Sequence, residues 1–74
     1  MSNQKRLLSY HVSRLRDKDS SVRLKAIEQL QLLGDPECLT ALREIYDSDA
    51  NIEVRRAAQE AGRQIFLRNQ APEV

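Results

Sequence analysis

The chain of 74 residues has no tryptophan, two tyrosines, one phenylalanine, one cysteine, one histidine, two glycines and two prolines. A lone Cys38 cannot close a disulfide within the chain, which sets aside the cross-linked frameworks of small secreted domains and makes a reducing cytoplasmic setting the default. Neither Cys38 nor His11 has a second ligand at a recognisable spacing, so no metal site is expected. With only Gly34 and Gly62 there is no glycine-rich phosphate loop, and no nucleophile and base pair can be assembled; neither cofactor nor catalysis is expected. The opening "MSNQKRLLSYHVSRLRDKD" has no long apolar run and reads as neither a signal peptide nor a membrane span, and nothing later reaches spanning length. Net charge is +1, with seven Lys/Arg against four Asp/Glu in residues 1–35 and five against seven in residues 36–74. So slight a dipole does not call for nucleic acid as the partner.

What is present is aliphatic and helical. Leucine, isoleucine, valine and alanine carry the apolar content, which suits helix-on-helix packing, and the length fits one small domain (residues 1–74) burying about 60% of its unfolded surface. Periodicity and punctuation divide the chain into four helices. In the first, Lys5 to Arg16, residues Leu8, Val12 and Leu15 recur at helical spacing. The second runs from Ser20 to Leu33, with Ser20 or Ser21 as cap, Val22, Ala26, Leu30 and Leu33 on one stripe, and Gly34 as terminator. The third opens with Asp35 as cap and Pro36 in its first turn and continues through Leu39, Leu42 and Ile45 to Tyr46. The fourth spans Asn51 to Leu67 with Val54, Ala58, Ala61 and Ile65 inside.

The helices pair off. A shift of 30 lays Leu8, Val12, Leu15, Asp17 and Asp19 on Cys38, Leu42, Ile45, Asp47 and Asp49; a shift of 32 lays Val22, Arg23, Ala26, Glu28 and Leu33 on Val54, Arg55, Ala58, Glu60 and Ile65. On this alignment the two extra residues are Ala50-Asn51, in the loop. Helix, D-x-D turn and second helix, repeated over residues 4–33 and 35–68, is the pattern of an all-α solenoid. Arg23 falls at the edge of the buried stripe, where its stem lies along apolar surface and its planar donors can reach Asp17 or Asp19. Arg55 stands in the same relation to Asp47 or Asp49.

The pattern D-x-D, V-R-x-x-A, L-x-x-L-G-D-P resembles HEAT-like repeats, in particular the short bacterial and archaeal type named for phycobilisome lyases, across residues 4 to 67. The resemblance implies two helical hairpins in a right-handed stack, an Asp/Arg ladder between neighbouring repeats, and a binding scaffold in place of an enzyme. The diiron hydroxylases of similar architecture need His-Glu pairs that this chain lacks. The second repeat departs from the pattern, with Gly62 in place of Leu30 and no second G-D-P, which marks it as terminal. Gln59 in place of Ile27 makes the outer edge of the last helix polar, as in a capping repeat. Two repeats are few for stability, so stacking on a partner or on another copy is left open.

In the resembled family the second helix of each pair lines a concave face. Leu24 and Leu32, on the arc opposite the core, would then join Arg56, Arg63 and Gln64 in a small mixed patch able to receive a protein helix or loop, with ordinary surface leucines as the alternative. A second stripe, Arg6, Tyr10 and Arg14 at i, i+4 and i+8, could hold phosphate, as HEAT-like DNA glycosylases hold nucleic acid, or form a plain solvated face. The expected function is protein-protein recognition by an adaptor or scaffold. The narrower expectation, from the phycobilisome-lyase type, is an accessory role toward a photosynthetic antenna or pigment-attachment protein.

Overall fold

The computed structural model describes residues 3–70, and among these every regular element is helical. Helix α1 spans Asn3–Arg14, α2 Ser20–Leu33, α3 Leu39–Ser48 and α4 Ile52–Arg68, with a short 3-10 turn, Pro36–Cys38, ahead of α3. Helix α1 packs on α2, α3 on α4, and α2 on α4. The two hairpins therefore join through their second helices, while α1 and the α3 segment are linked by exposed polar pairs: Gln4 with Asp35, Lys5 with Glu37 and Arg16 with Glu44.

Local chemistry sets the boundaries. Helix α1 stops at Arg14 because its last turn tightens: the amides of Leu15, Arg16 and Asp17 each reach back three residues. The cap of α2 is Asp19 rather than a serine. Its Oδ1 accepts from the Ser21 amide at 2.9 Å and the Ser21 hydroxyl at 2.8 Å, so Ser20 is already inside the helix. Gly34 ends α2 at φ +69°, sending its amide back to the Leu30 carbonyl. Asp35 caps the 3-10 turn, not α3 itself, accepting from the Glu37 amide at 2.9 Å. Asn51 caps α4 through the amides of Glu53 and Val54.

The core consists of Leu8, Leu15, Ala26, Ile27, Leu30, Cys38, Leu42, Ile45, Val54, Ala58, Ala61 and Ile65. None of them is aromatic, and no polar or charged residue among those described is buried. Val12 and Leu33, placed on the stripe by periodicity, are only partly covered. Ile27, expected at an edge, is fully buried, since the packing of α4 on α2 covers that side.

The hydrogen bonds revise the alignment of the two repeats. Asp17 Oδ1 accepts from the Asp19 amide and Asp49 Oδ1 from the Asn51 amide, both at 2.9 Å. Arg23 Nη1 donates to the Asp17 carbonyl and Arg55 Nη1 to the Asp49 carbonyl, at 2.9 and 2.7 Å. Asp17 is thus the counterpart of Asp49, and Asp19 of Asn51. The two extra residues are Asp47-Ser48, which lengthen α3, and not Ala50-Asn51 in the loop. The D-x-D at Asp47–Asp49 imitates the one at Asp17–Asp19 without sharing its geometry.

Candidate interaction surfaces

Arg23 joins the two hairpins. Its Nη1 holds the carbonyls of Asp17 and Lys18 in its own turn, while Nε and Nη2 grip both carboxylate oxygens of Asp49 in the next repeat, at 2.8 and 3.0 Å. The carboxylate partner is therefore neither Asp17 nor Asp19, because the guanidinium reaches across the junction while its own turn supplies only backbone oxygens. The side chains are 15% and 6% exposed, and a planar fork on a carboxylate at this depth is a site where lysine does not substitute. Burial alone would raise the Asp49 carboxyl. The Asn51 amide, the Arg23 fork and the charges of Arg23 and Arg55 outweigh it, so the group titrates below the ordinary carboxylate value.

Arg55 makes only half of this arrangement. Its Nη1 donates to the Asp49 carbonyl, and among the described residues no carboxylate pairs with its Nε and Nη2. Asp47, one of its two expected partners, forms an i,i+4 pair with Arg43 at 3.5 Å instead. Asp49 serves it through the backbone, its carboxylate being taken by Arg23.

The residues of the expected concave patch are not equivalent. Leu24 packs against the core and is only partly exposed, so it does not stand on an open surface. The fully buried Ile27 next to it on α2 shows how far α4 draws that side inward. Leu32, in contrast, is 69% exposed, the most exposed large apolar side chain described. Arg56 and Arg63 are exposed on α4; Gln64 is partly covered and donates to Glu60 at 2.8 Å, while Arg63 lies 3.8 Å from the same carboxylate.

The stripe on α1 also divides. Arg14 sits over the Tyr10 ring at 5.9 Å and pairs with Asp17 at 3.4 Å, and His11 meets Tyr10 edge-on at 5.1 Å. Tyr10, His11 and Arg14, together with Val22, Lys25 and Gln29, line a groove of about 520 Å³ on the outer side of the first hairpin; Arg6 lies apart from it, exposed.

A second groove, of about 340 Å³, lies on the outer side of the other hairpin, with Leu39, Leu42, Tyr46, Gly62 and Phe66 as its apolar lining and Arg43 and Arg63 beside them. All three aromatic residues of the chain line one or other of these grooves. None of the three belongs to the buried core, and aromatic rings left out of a core gather where proteins meet. At Gly62 the helix is bare, for a Cβ there would have only Leu39 Cδ2 near it, at 3.9 Å.

Cys38 is wholly buried, and burial, aided by the negative charge of Asp35, pushes its thiol up to about 11. A neutral, enclosed thiol is a packing residue and not a nucleophile. Among the described residues no three His, Cys, Asp or Glu side chains gather where they could hold a metal ion, and no helix is long and apolar enough to cross a membrane.

No curated protein and no solved structure matches the chain. Residues 2–62 match the family described as HEAT repeats, in agreement with the two stacked hairpins and the Arg23–Asp49 contact between them. The chain belongs to the HEAT repeat family.

Proposed function

We propose that the protein is a non-catalytic interaction module that recognises a protein partner with a preformed helical surface. The observation that carries this reading is the exposure of Leu32 on the α2–α4 side, with Arg56 and Arg63 exposed on the neighbouring helix. An exposed leucine on α2 and exposed arginines on α4, the helix packed against it, supply an apolar anchor and polar groups, the usual composition of a small docking site. HEAT repeats commonly act as such scaffolds, and the rigid packing of α2 on α4 spares the ordering cost that a flexible segment would bear on binding.

The test is an affinity capture from native lysate comparing the wild-type chain with a Leu32→Glu/Arg56→Glu variant. Leu24 is left intact, since a glutamate there would enter the core margin and unfold the bait. Partners held by the wild type and lost by the variant support the patch, and identical recoveries with both baits refute it. Under the narrower resemblance to the phycobilisome-lyase type, drawn from Gly34-Asp35-Pro36 and the tetrads at Val22 and Val54, the partner is a photosynthetic antenna or pigment-attachment protein. Titration with free bilin, followed by its visible absorption, tests that version separately.

A further inference from the structure

Each end of the stack carries half of the contact that joins its middle. At the junction between the repeats, the Arg23 fork closes on the Asp49 carboxylate. Counterparts of both partners stand at the two ends without a fork-on-carboxylate contact of this kind: the Arg55 fork on the α3–α4 side, and the carboxylate of Asp17, the counterpart of Asp49, on the α1–α2 side. Asp17 is 23% exposed; its Oδ1 accepts from the Asp19 amide at 2.9 Å, as Asp49 Oδ1 does from the Asn51 amide, and its side-chain partner is Arg14 Nη1 at the longer distance of 3.4 Å.

Side-chain volume follows the same logic. The α3–α4 groove is lined by Ala58, Gln59 and Gly62, whose counterparts Ala26, Ile27 and Leu30 are the side chains of α2 covered by the second repeat. The α1–α2 groove is lined by Lys25, Ala26 and Gln29, whose counterparts on α4 are the small Ala57, Ala58 and Ala61. Inside the molecule a large residue, Leu30, stands on one side and a small one, Ala61, on the other. At the ends the sizes are exchanged: Gly62 is the hollow and Gln29 the long side chain. Bulk has moved across the junction instead of being lost from it.

We propose that these two end faces bind one another between copies, so that a second copy of the chain stacks head to tail on the α3–α4 groove with its Asp17 carboxylate on the Arg55 guanidinium. The contact continues the interface already present between the repeats. It covers Tyr46 and Phe66 of one copy and Tyr10 of the next, side chains 39%, 51% and 56% exposed in the single chain. Because the joined faces differ, the assembly is heterologous and adds copies in one direction. Arg63 is common to this face and to the patch of the proposed function, but the stacking rests on neither Leu32 nor Arg56, and the proposal stands independently of them.

Sedimentation equilibrium on the whole chain, up to about 1 mM, reads the result directly. The wild type gains mass with concentration. Arg55→Gln and Asp17→Asn each weaken association at least roughly tenfold, as loss of one member of a covered charge pair does. Mixed in equal amounts, the two variants restore wild-type affinity and stop at a one-to-one dimer, since that pair has a single intact junction. A wild type that stays monomeric, variants that associate like the wild type, or a mixture no tighter than either variant alone overturns the proposal. Should a variant fail to fold, amide shifts of the wild type on dilution decide: movement at both Gly62 and Lys25 supports head-to-tail stacking, and movement at one end only, or at neither, overturns it.

Discussion

Arg23 and Asp49 lie 26 positions apart in sequence, yet they make the most complete polar contact in the molecule. Asp49→Asn keeps an Oδ1 acceptor for the Asn51 amide but removes the charge and sets an NH2 donor against Arg23 Nε, where Oδ2 now accepts. The expected cost is about 2–3 kcal/mol, a fall in Tm of roughly 10–20 °C for a chain of this size, measured by thermal circular dichroism. The pH dependence has a defined sign. Asp49 titrates lower in the folded protein than in the unfolded chain, so its contribution is whole above the ordinary carboxylate value, near 3.9, and is lost as pH falls through the lower folded value. Asp19, held down by the Ser21 hydroxyl and amide, acts in the same direction. The wild type should therefore lose stability steeply in acid and the Asp49→Asn variant less so; parallel acid limbs would contradict the assignment. The choice of Arg at these positions was legible from its place at the stripe edge. Which carboxylate it meets was not, because the D-x-D pattern occurs twice, at Asp17–Asp19 and at Asp47–Asp49, and only the stacking of the hairpins decides which aspartate comes within reach.

At the scale of the elements, the joint between α2 and the 3-10 turn has the least freedom. Gly34 needs φ +69°, and a Cβ there would approach the Arg68 guanidinium to 2.9 Å. Arg68 reaches over from α4 to the Gln31 carbonyl at 3.2 Å, and Asn69 Nδ2 bonds the Gly34 carbonyl at 3.0 Å, so the ends of the two inner helices are tied together at this residue. Gly34→Ala is expected to cost about 1–2 kcal/mol for the left-handed backbone. It should also displace Arg68, and exchange of the last-turn amides of α4 should rise together with the loss of stability; a destabilised variant with unchanged exchange there would separate the two effects. Helix spans were readable from periodicity, since α2 begins and ends where the apolar stripe and Gly34 place it. The ends of α1 and α3 were less so. A tightened last turn after α1 and an added Asp47-Ser48 in α3 alter length without disturbing the apolar spacing.

For the molecule as a whole, the two end faces decide how much surface remains to be covered. Gln59 is exposed where its counterpart Ile27 is buried by the second repeat, so a polar side chain limits the α3–α4 face. Gln59→Ile should tighten self-association by about tenfold, the effect of burying further apolar area at a junction whose other contacts are already in place. Sedimentation of the variant beside the wild type measures it, and an unchanged mass distribution would place Gln59 outside the contact. The concave patch behaves differently from its sequence reading at this scale. Leu24 and Leu32 share an arc of α2, but the first packs against the core and the second is left in water.

The sequence by itself determined the helices, their pairing into two repeats and the aliphatic composition of the core, because these rest on local spacing, caps and residue type. The tertiary structure alone decided which carboxylate completes the Arg23 contact, which leucine stays exposed, and that the aromatic rings line the two end grooves. Those outcomes depend on how one hairpin is set against the other, and a two-residue difference in α3 is enough to change which residues meet while leaving every helical stripe intact.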